Sequence, residues 1–331
     1  MYSVTHQDLH GKLLSGLLLA LLLRLPVSTP LAHAVDFDPS ASAATADTIE
    51  AAAVRRSNES DLALSERVKQ RYEKMRSALM ANRSWSGLDA RQARQMFEVA
   101  NAASFYTGDS RITEDQVKAL AALERLHAST PHDVVQTYRA LLAARDFAAA
   151  TAFFAHHADG LAHPPPEVVE PIAVAAGLPS ELRIAMHGRR LLHVATHLDA
   201  ARLIIVVADP LCPYTQRAMA AIGQDPALNA VMRSHSKWIA PPSRQDDFSV
   251  FAAWNARYPQ QQMSLAYRRS DWPMLTQWAT PMFYFMDAGR VIDTVAGWPA
   301  QGHRAELLAA AKRTGLELSE DQVETAPDGK R

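Results

Sequence analysis

The chain has 331 residues, long enough for two domains, and its 48% hydrophobic content is that of an ordinary globular protein. Its 34 basic and 35 acidic residues nearly cancel, which removes any electrostatic case for a nucleic acid or an anionic membrane as a partner. The first predicted element is the apolar run Leu13 to Leu23, preceded by Lys12, broken by Pro26 and Pro30, and followed by Ala32-His33-Ala34. Its length suits the core of a signal peptide and is too short to span a bilayer. Residues 1–34 therefore read as a signal peptide cleaved after Ala34, the alternative being a short buried helix. No later run reaches the length of a membrane span, so none is expected in the mature chain.

Residues 35–60 are rich in Ala, Ser, Asp and Thr without an apolar period and read as a flexible tether. An all-α helical module is expected over 61–160. Leu64, Val68, Tyr72, Met75 and Leu79 form one stripe at helical spacing, which packs on a neighbouring helix or makes a short coiled-coil seam between two copies. Further helices are predicted over Leu88 to Phe105, after a capping box of Thr113 with Gln116, and after Thr130 with Pro131 at its first position. Arg145-Asp146-Phe147 then turns the chain into Ala148 to His156. His163-Pro164-Pro165-Pro166 marks a linker, placed at 161–180.

Beyond it the pattern changes to strand and helix. Arg190 to Thr196 and Leu203 to Ala208 are β-rich, the second almost wholly apolar, as a central buried strand is. A helix from Pro213, a strand near Lys237 to Ala240 and a helix from Phe248 to Tyr258 follow. Met282 to Met286 and Arg290 to Val295 read as a hairpin around Ala288-Gly289, and Arg304 to Thr314 as a closing amphipathic helix. Residues 319–331 read as a flexible tail.

Cys212 is the only cysteine. In an exported chain, structural cysteines come in pairs, so this thiol is either inert or reactive. It lies just after a buried strand and opens a helix, where free backbone N–H groups and the helix dipole favour thiolate. The run Ala208-Asp209-Pro210-Leu211-Cys212-Pro213-Tyr214-Thr215 resembles the active-site region of the periplasmic thiol-disulfide isomerases of the Dsb type, members of the thioredoxin superfamily. Thr280-Pro281, directly before a predicted strand, resembles the cis-proline loop of that superfamily. The resemblance implies an α/β thioredoxin-like domain over 181–318 after the helical module, periplasmic localisation, catalytic roles for Cys212, Pro213, Tyr214 and Thr215, and substrate binding by Thr280 and Pro281.

The chain departs from the family pattern at Thr215, where C-x-x-C has its second cysteine. A lone thiolate forms a mixed disulfide that nothing within the chain resolves. The implied partners are proteins with disulfides or oxidised cysteines and an external thiol reductant. The Thr215 hydroxyl is expected to support the Cys212 thiolate, and Arg217 either adds to the positive field or is surface charge. The competing reading is a non-catalytic peptide-binding, chaperone-like or envelope scaffold protein. His193 with His197, and His156, His157 and His163, lack the ligands to complete a zinc set. Trp238, Trp254, Trp272, Trp278 and Trp298 are expected mostly in the core, with the segment 272–278 a candidate wall of a peptide-binding face. No cofactor or metal is expected.

Overall fold

The computed structural model describes residues 39–199, 202–244 and 246–316. The predicted signal peptide and tail lie outside the described residues.

Six helices come first: α1 (Pro39–Ala53), α2 (Asp61–Leu79), α3 (Ala90–Thr107), α4 (Ser110–Arg125), α5 (Pro131–Ala143) and α6 (Phe147–His157). Short polar side chains start several of them. Ser60 accepts from the Ala63 N–H, Asp89 and Gln92 form a capping box, and Thr130 pairs with Asp133 ahead of Pro131; each such cap contributes about 1 kcal/mol. Gly108 ends α3 at φ 59°, the left-handed conformation that a glycine adopts without strain.

Two expectations are corrected here. The stretch read as a tether is helical over Pro39–Ala53, because Ile49 is fully buried with Val68, Tyr72, Val99 and Ile112. One well-placed apolar residue anchors a helix that composition alone did not reveal. The start of α4 is not the Thr113–Gln116 box. Asp109 caps it, accepting from Arg111 and Ile112 N–H, while Thr113 Oγ1 donates back to the Asp109 carbonyl. The stripe Leu64, Val68 and Tyr72 faces inward onto α1 and α3, so it is occupied within the chain.

The remaining elements are β1 (Glu167–Val169), β2 (Ser180–Ala185), β3 (Arg190–Ala195), β4 (Leu203–Val207), α7 (Pro213–Gln224), α8 (Pro226–His235), β5 (Ser236–Ala240), α9 (Phe248–Arg257), β6 (Met263–Ala266), β7 (Met282–Asp287), β8 (Arg290–Ala296) and α10 (Arg304–Arg313). They build one mixed eight-stranded sheet in the order β1-β3-β2-β6-β5-β4-β7-β8. β4, β5 and β6 run parallel, and β7 lies antiparallel to β4. The β7–β8 turn places Ala288 at φ 47° and Gly289 at φ 77°, the paired positive values of a tight hairpin.

Period-two alternation divides the core. Ile204, Val206, Trp238, Phe283 and Phe285 face the layer that holds α7, α8 and α10. Ile205, Val207, Ile239 and Tyr284 face the opposite layer with Trp272, Leu275 and Trp278. A strand buried on both faces needs apolar residues at every position, which is why β4 reads as an unbroken run.

The expected linker contains β1, and β2, β6 and α8 were not anticipated. β2 reads as polar because Glu181 points into the interior. There its carboxylate accepts from Lys237 Nζ at 2.8 Å, Ser264 Oγ at 2.7 Å and Arg183 Nε at 2.8 Å. No helix among the described residues is long and apolar enough to cross a membrane.

Candidate active site

Strand register builds this site. Val207 at the end of β4 pairs with Met282 at the start of β7, so the segment leaving β4 and the segment entering β7 must lie side by side. The first carries Cys212 and the second carries Thr280 and Pro281, joined by a cis peptide bond.

Asp209 shapes the first segment. Its carboxylate accepts from the Leu211 N–H at 2.7 Å and its carbonyl from the Cys212 N–H at 3.1 Å. The turn delivers Cys212 to the N-cap position of α7, with Pro213 at the first helical residue, where its missing N–H leaves no bond unmade. The second segment is pinned by the Gly297 N–H, which donates to the Pro281 carbonyl at 2.8 Å. Pro281 is buried and Thr280 half-buried.

The partly exposed Cys212 thiol donates to the Thr280 carbonyl at 3.3 Å. Its partial burial favours the neutral thiol, yet the balance lowers its pKa. The groups that outweigh burial are the Thr280 side chain, the Thr215 and Tyr214 N–H groups and the Thr215 hydroxyl. Thr215 is fully buried, and its hydroxyl also accepts from the Asp209 N–H at 3.5 Å. Leu211 and Tyr214 are instead 59% and 51% exposed, leaving two apolar side chains on the surface beside the thiol. The Arg217 guanidinium sits 4.6 Å from the Tyr214 ring centroid, a cation–π contact.

The six residues singled out from the sequence thus come together at one end of the sheet. His193 and His157 are engaged elsewhere. His193 stacks on Tyr267 with ring centroids 3.9 Å apart and bonds Glu170 and Ser180, and His157 bonds Glu124. Trp238, Trp254, Trp272 and Trp298 are core residues.

Sequence reasoning missed how the helical region meets this end of the sheet. Arg145, in the α5–α6 turn, reaches Asp246 at 2.9 Å and the Ala266 carbonyl at 3.2 Å. Arg244, in the segment after β5, reaches Asn101 at 2.6 Å, and it also bonds Ser104. The Asp61 N–H donates to the Thr276 carbonyl at 2.9 Å, and its carboxylate accepts from the Trp278 N–H at 2.5 Å. Between these contacts lies a cavity of about 910 Å3 that Asp209, Trp278 and Thr280 help to line. Its walls come from segments far apart in the chain, so no local signal announces it.

Comparison of the chain with protein-family models, with curated proteins and with solved structures found no match to any of them.

Proposed function

We propose that this is an exported thiol-disulfide exchange protein that acts through Cys212 alone, on a thioredoxin-like domain. The observation that carries this reading is the surroundings of the Cys212 sulfur. It sits at a helix N-cap, beside a cis-proline segment, and is directed toward thiolate by N–H and O–H groups. The strands β5, β4, β7 and β8, with α7 opening directly after Cys212 and α10 the last helix among the described residues, support this reading by following the order of that fold, here widened by β1, β3, β2 and β6.

The proposed step is an exchange. The Cys212 thiolate attacks one sulfur of a client disulfide, a new S–S bond forms to Cys212, and the client's other sulfur leaves as a thiolate that takes a proton from water. An external small thiol then attacks the mixed disulfide, restoring the Cys212 thiolate and carrying the client sulfur into a new disulfide. Leu211 and Tyr214 offer an apolar platform to the client, and the Thr280–Pro281 segment aligns its backbone.

The second reading is a binding module without turnover. Thr215 favours it, since its buried hydroxyl stands where a resolving thiol would be needed. Non-reducing electrophoresis of envelope extracts separates the two. The exchange reading expects covalent adducts that vanish on adding a small thiol and are absent from Cys212→Ser. Adduct-free wild type, with Cys212→Ser retaining the same partners, establishes the binding module.

A further inference from the structure

The parallel strands β4, β5 and β6 end on the same side of the sheet, and ligands of such sheets bind outside those carboxyl ends. The segments that leave them carry Asp209, then Pro241 to Arg244, then Tyr267 to Ser270, and the helical region closes over all three. The volume of about 910 Å3 falls within the range that holds a small ligand or a short peptide.

Its walls have an uneven chemistry. Arg55 and Lys69 line it but are matched by Asp61 and Asp109. Arg268 and Arg269 form no direct ion pair among the described residues, although Asp271 lies in the field of Arg268, and Asp61 and Asp246 in that of Arg269. Arg268 lies over the Tyr267 ring, and Arg269 donates to the Pro242 carbonyl at 3.4 Å. Burial weakens the hold of Arg269 on its proton by more than the nearby carboxylates of Asp61 and Asp246 restore. Two further donors of lining residues, Trp278 Nε1 and Arg244 Nε, are buried with no hydrogen-bond partner. The lining carboxylates of Asp209 and Glu66 already accept from the Leu211 N–H and from Gln70. The unpaired donors call for acceptors, and cations outnumber carboxylates in the lining by one. From the helical side Phe105 and Tyr106 contribute an aromatic surface, and Phe105 is 58% exposed. An inorganic anion would answer the arginines but leave that surface and most of the volume unused.

We propose that the cavity binds an acidic peptide segment, Asp or Glu with an apolar neighbour, belonging to the client chain close to the cysteine presented to Cys212. The link to that cysteine rests on the exchange reading, because the cavity reaches Thr280, whose carbonyl takes the Cys212 thiol. The binding itself does not.

The test uses the full chain with Cys212→Ser and three labelled, cysteine-free octapeptides. One alternates Asp and Glu with Phe and Leu, one has Asn and Gln in place of the acids, and one has Lys. Fluorescence anisotropy should show the acidic peptide binding at least about tenfold more tightly than the neutral one, as expected of hydrogen bonds to charged groups, with affinity falling as salt rises. Arg268→Gln with Arg269→Gln should remove that preference. Equal binding of the three peptides overturns the proposal, and so does an unchanged preference in the double variant at a wild-type melting temperature. Free citrate binding as tightly as the acidic peptide overturns the peptide assignment. If the double variant fails to fold, the peptide series on Cys212→Ser decides alone. A parallel series on the wild type, with each peptide carrying one aryl-activated disulfide, separates the two readings. Discrimination in binding without aryl thiol release removes the exchange reading and leaves the cavity assignment standing. Release at one rate from all three peptides keeps the exchange reading and removes only the link between the cavity and the cysteine presented to Cys212.

Discussion

Arg145 and Asp246 form a buried ion pair at 2.9 Å across the junction of the helical region and the sheet, with almost no solvent on either side chain. Arg145 holds a left-handed φ of 62° to do so, at a cost of roughly 1 kcal/mol for a residue with a Cβ. Burial pushes the Asp246 carboxyl up despite the guanidinium beside it, and the charge of Asp209, in the Cys212 turn, adds to the rise. Removing one partner of such a pair costs about 3–5 kcal/mol. Arg145→Ala should therefore lower the urea midpoint strongly. Its loss should be larger at high pH, where the stranded carboxylate must give up its proton, and smaller at low pH, where the folded state keeps it. Paired unfolding curves across the acid and neutral range check this.

The Cys212 thiol is shifted down through hydrogen bonds, so its alkylation by iodoacetamide should titrate with a midpoint below the free-thiol value of about 8.5. Thr215→Ala removes one of those bonds and should move the midpoint up without unfolding the protein. A wild-type thiol that reacts only after denaturation would contradict the first expectation, and an unmoved midpoint in the variant the second.

Thr215→Cys places a second thiol at the fourth position of the motif. Under the exchange reading it should shorten the lifetime of mixed disulfides at Cys212 by at least about tenfold, since an intramolecular thiolate acts at a high effective concentration. It should also create insulin-reducing activity that wild type lacks. Stopped-time trapping with acid, followed by non-reducing gels, measures the lifetime directly.

Glu181 carries a pH-dependent share of the stability. Burial alone would raise its pKa, but Lys237, Ser264 and Arg183 together hold it below the ordinary carboxylate value. A depressed folded pKa means that this stabilisation is fully present above the unfolded value of about 4.3 and is lost as pH falls through the folded pKa. Wild type should exceed Glu181→Gln in stability at neutral pH, and the gap should close progressively in acid. Thermal melts from neutral pH down into the acid range measure it.

The amino-acid sequence by itself determined what depends on near neighbours. Pro213 after Cys212 suits the first turn of a helix, the run Leu203 to Val207 suits a strand covered on both faces, and Thr130 with Pro131 starts α5 as read. The hairpin at Ala288-Gly289 follows from two adjacent residues that take positive φ. In each case the deciding energies are local: a missing N–H, a cap, a backbone conformation. Only the tertiary structure decided the rest. Glu181 reads as a surface residue until Lys237 and Ser264 come to it from strands more than fifty positions away. The helix α1 exists because Ile49 finds the faces of α2 and α3. Thr280 becomes part of the Cys212 site through the pairing of Val207 with Met282. Arg244, Arg269, Phe105 and Trp278 share one cavity only after the helical region has docked on the sheet. Charge compensation and burial depend on distance in space, which a chain read in order does not contain until its strands are paired.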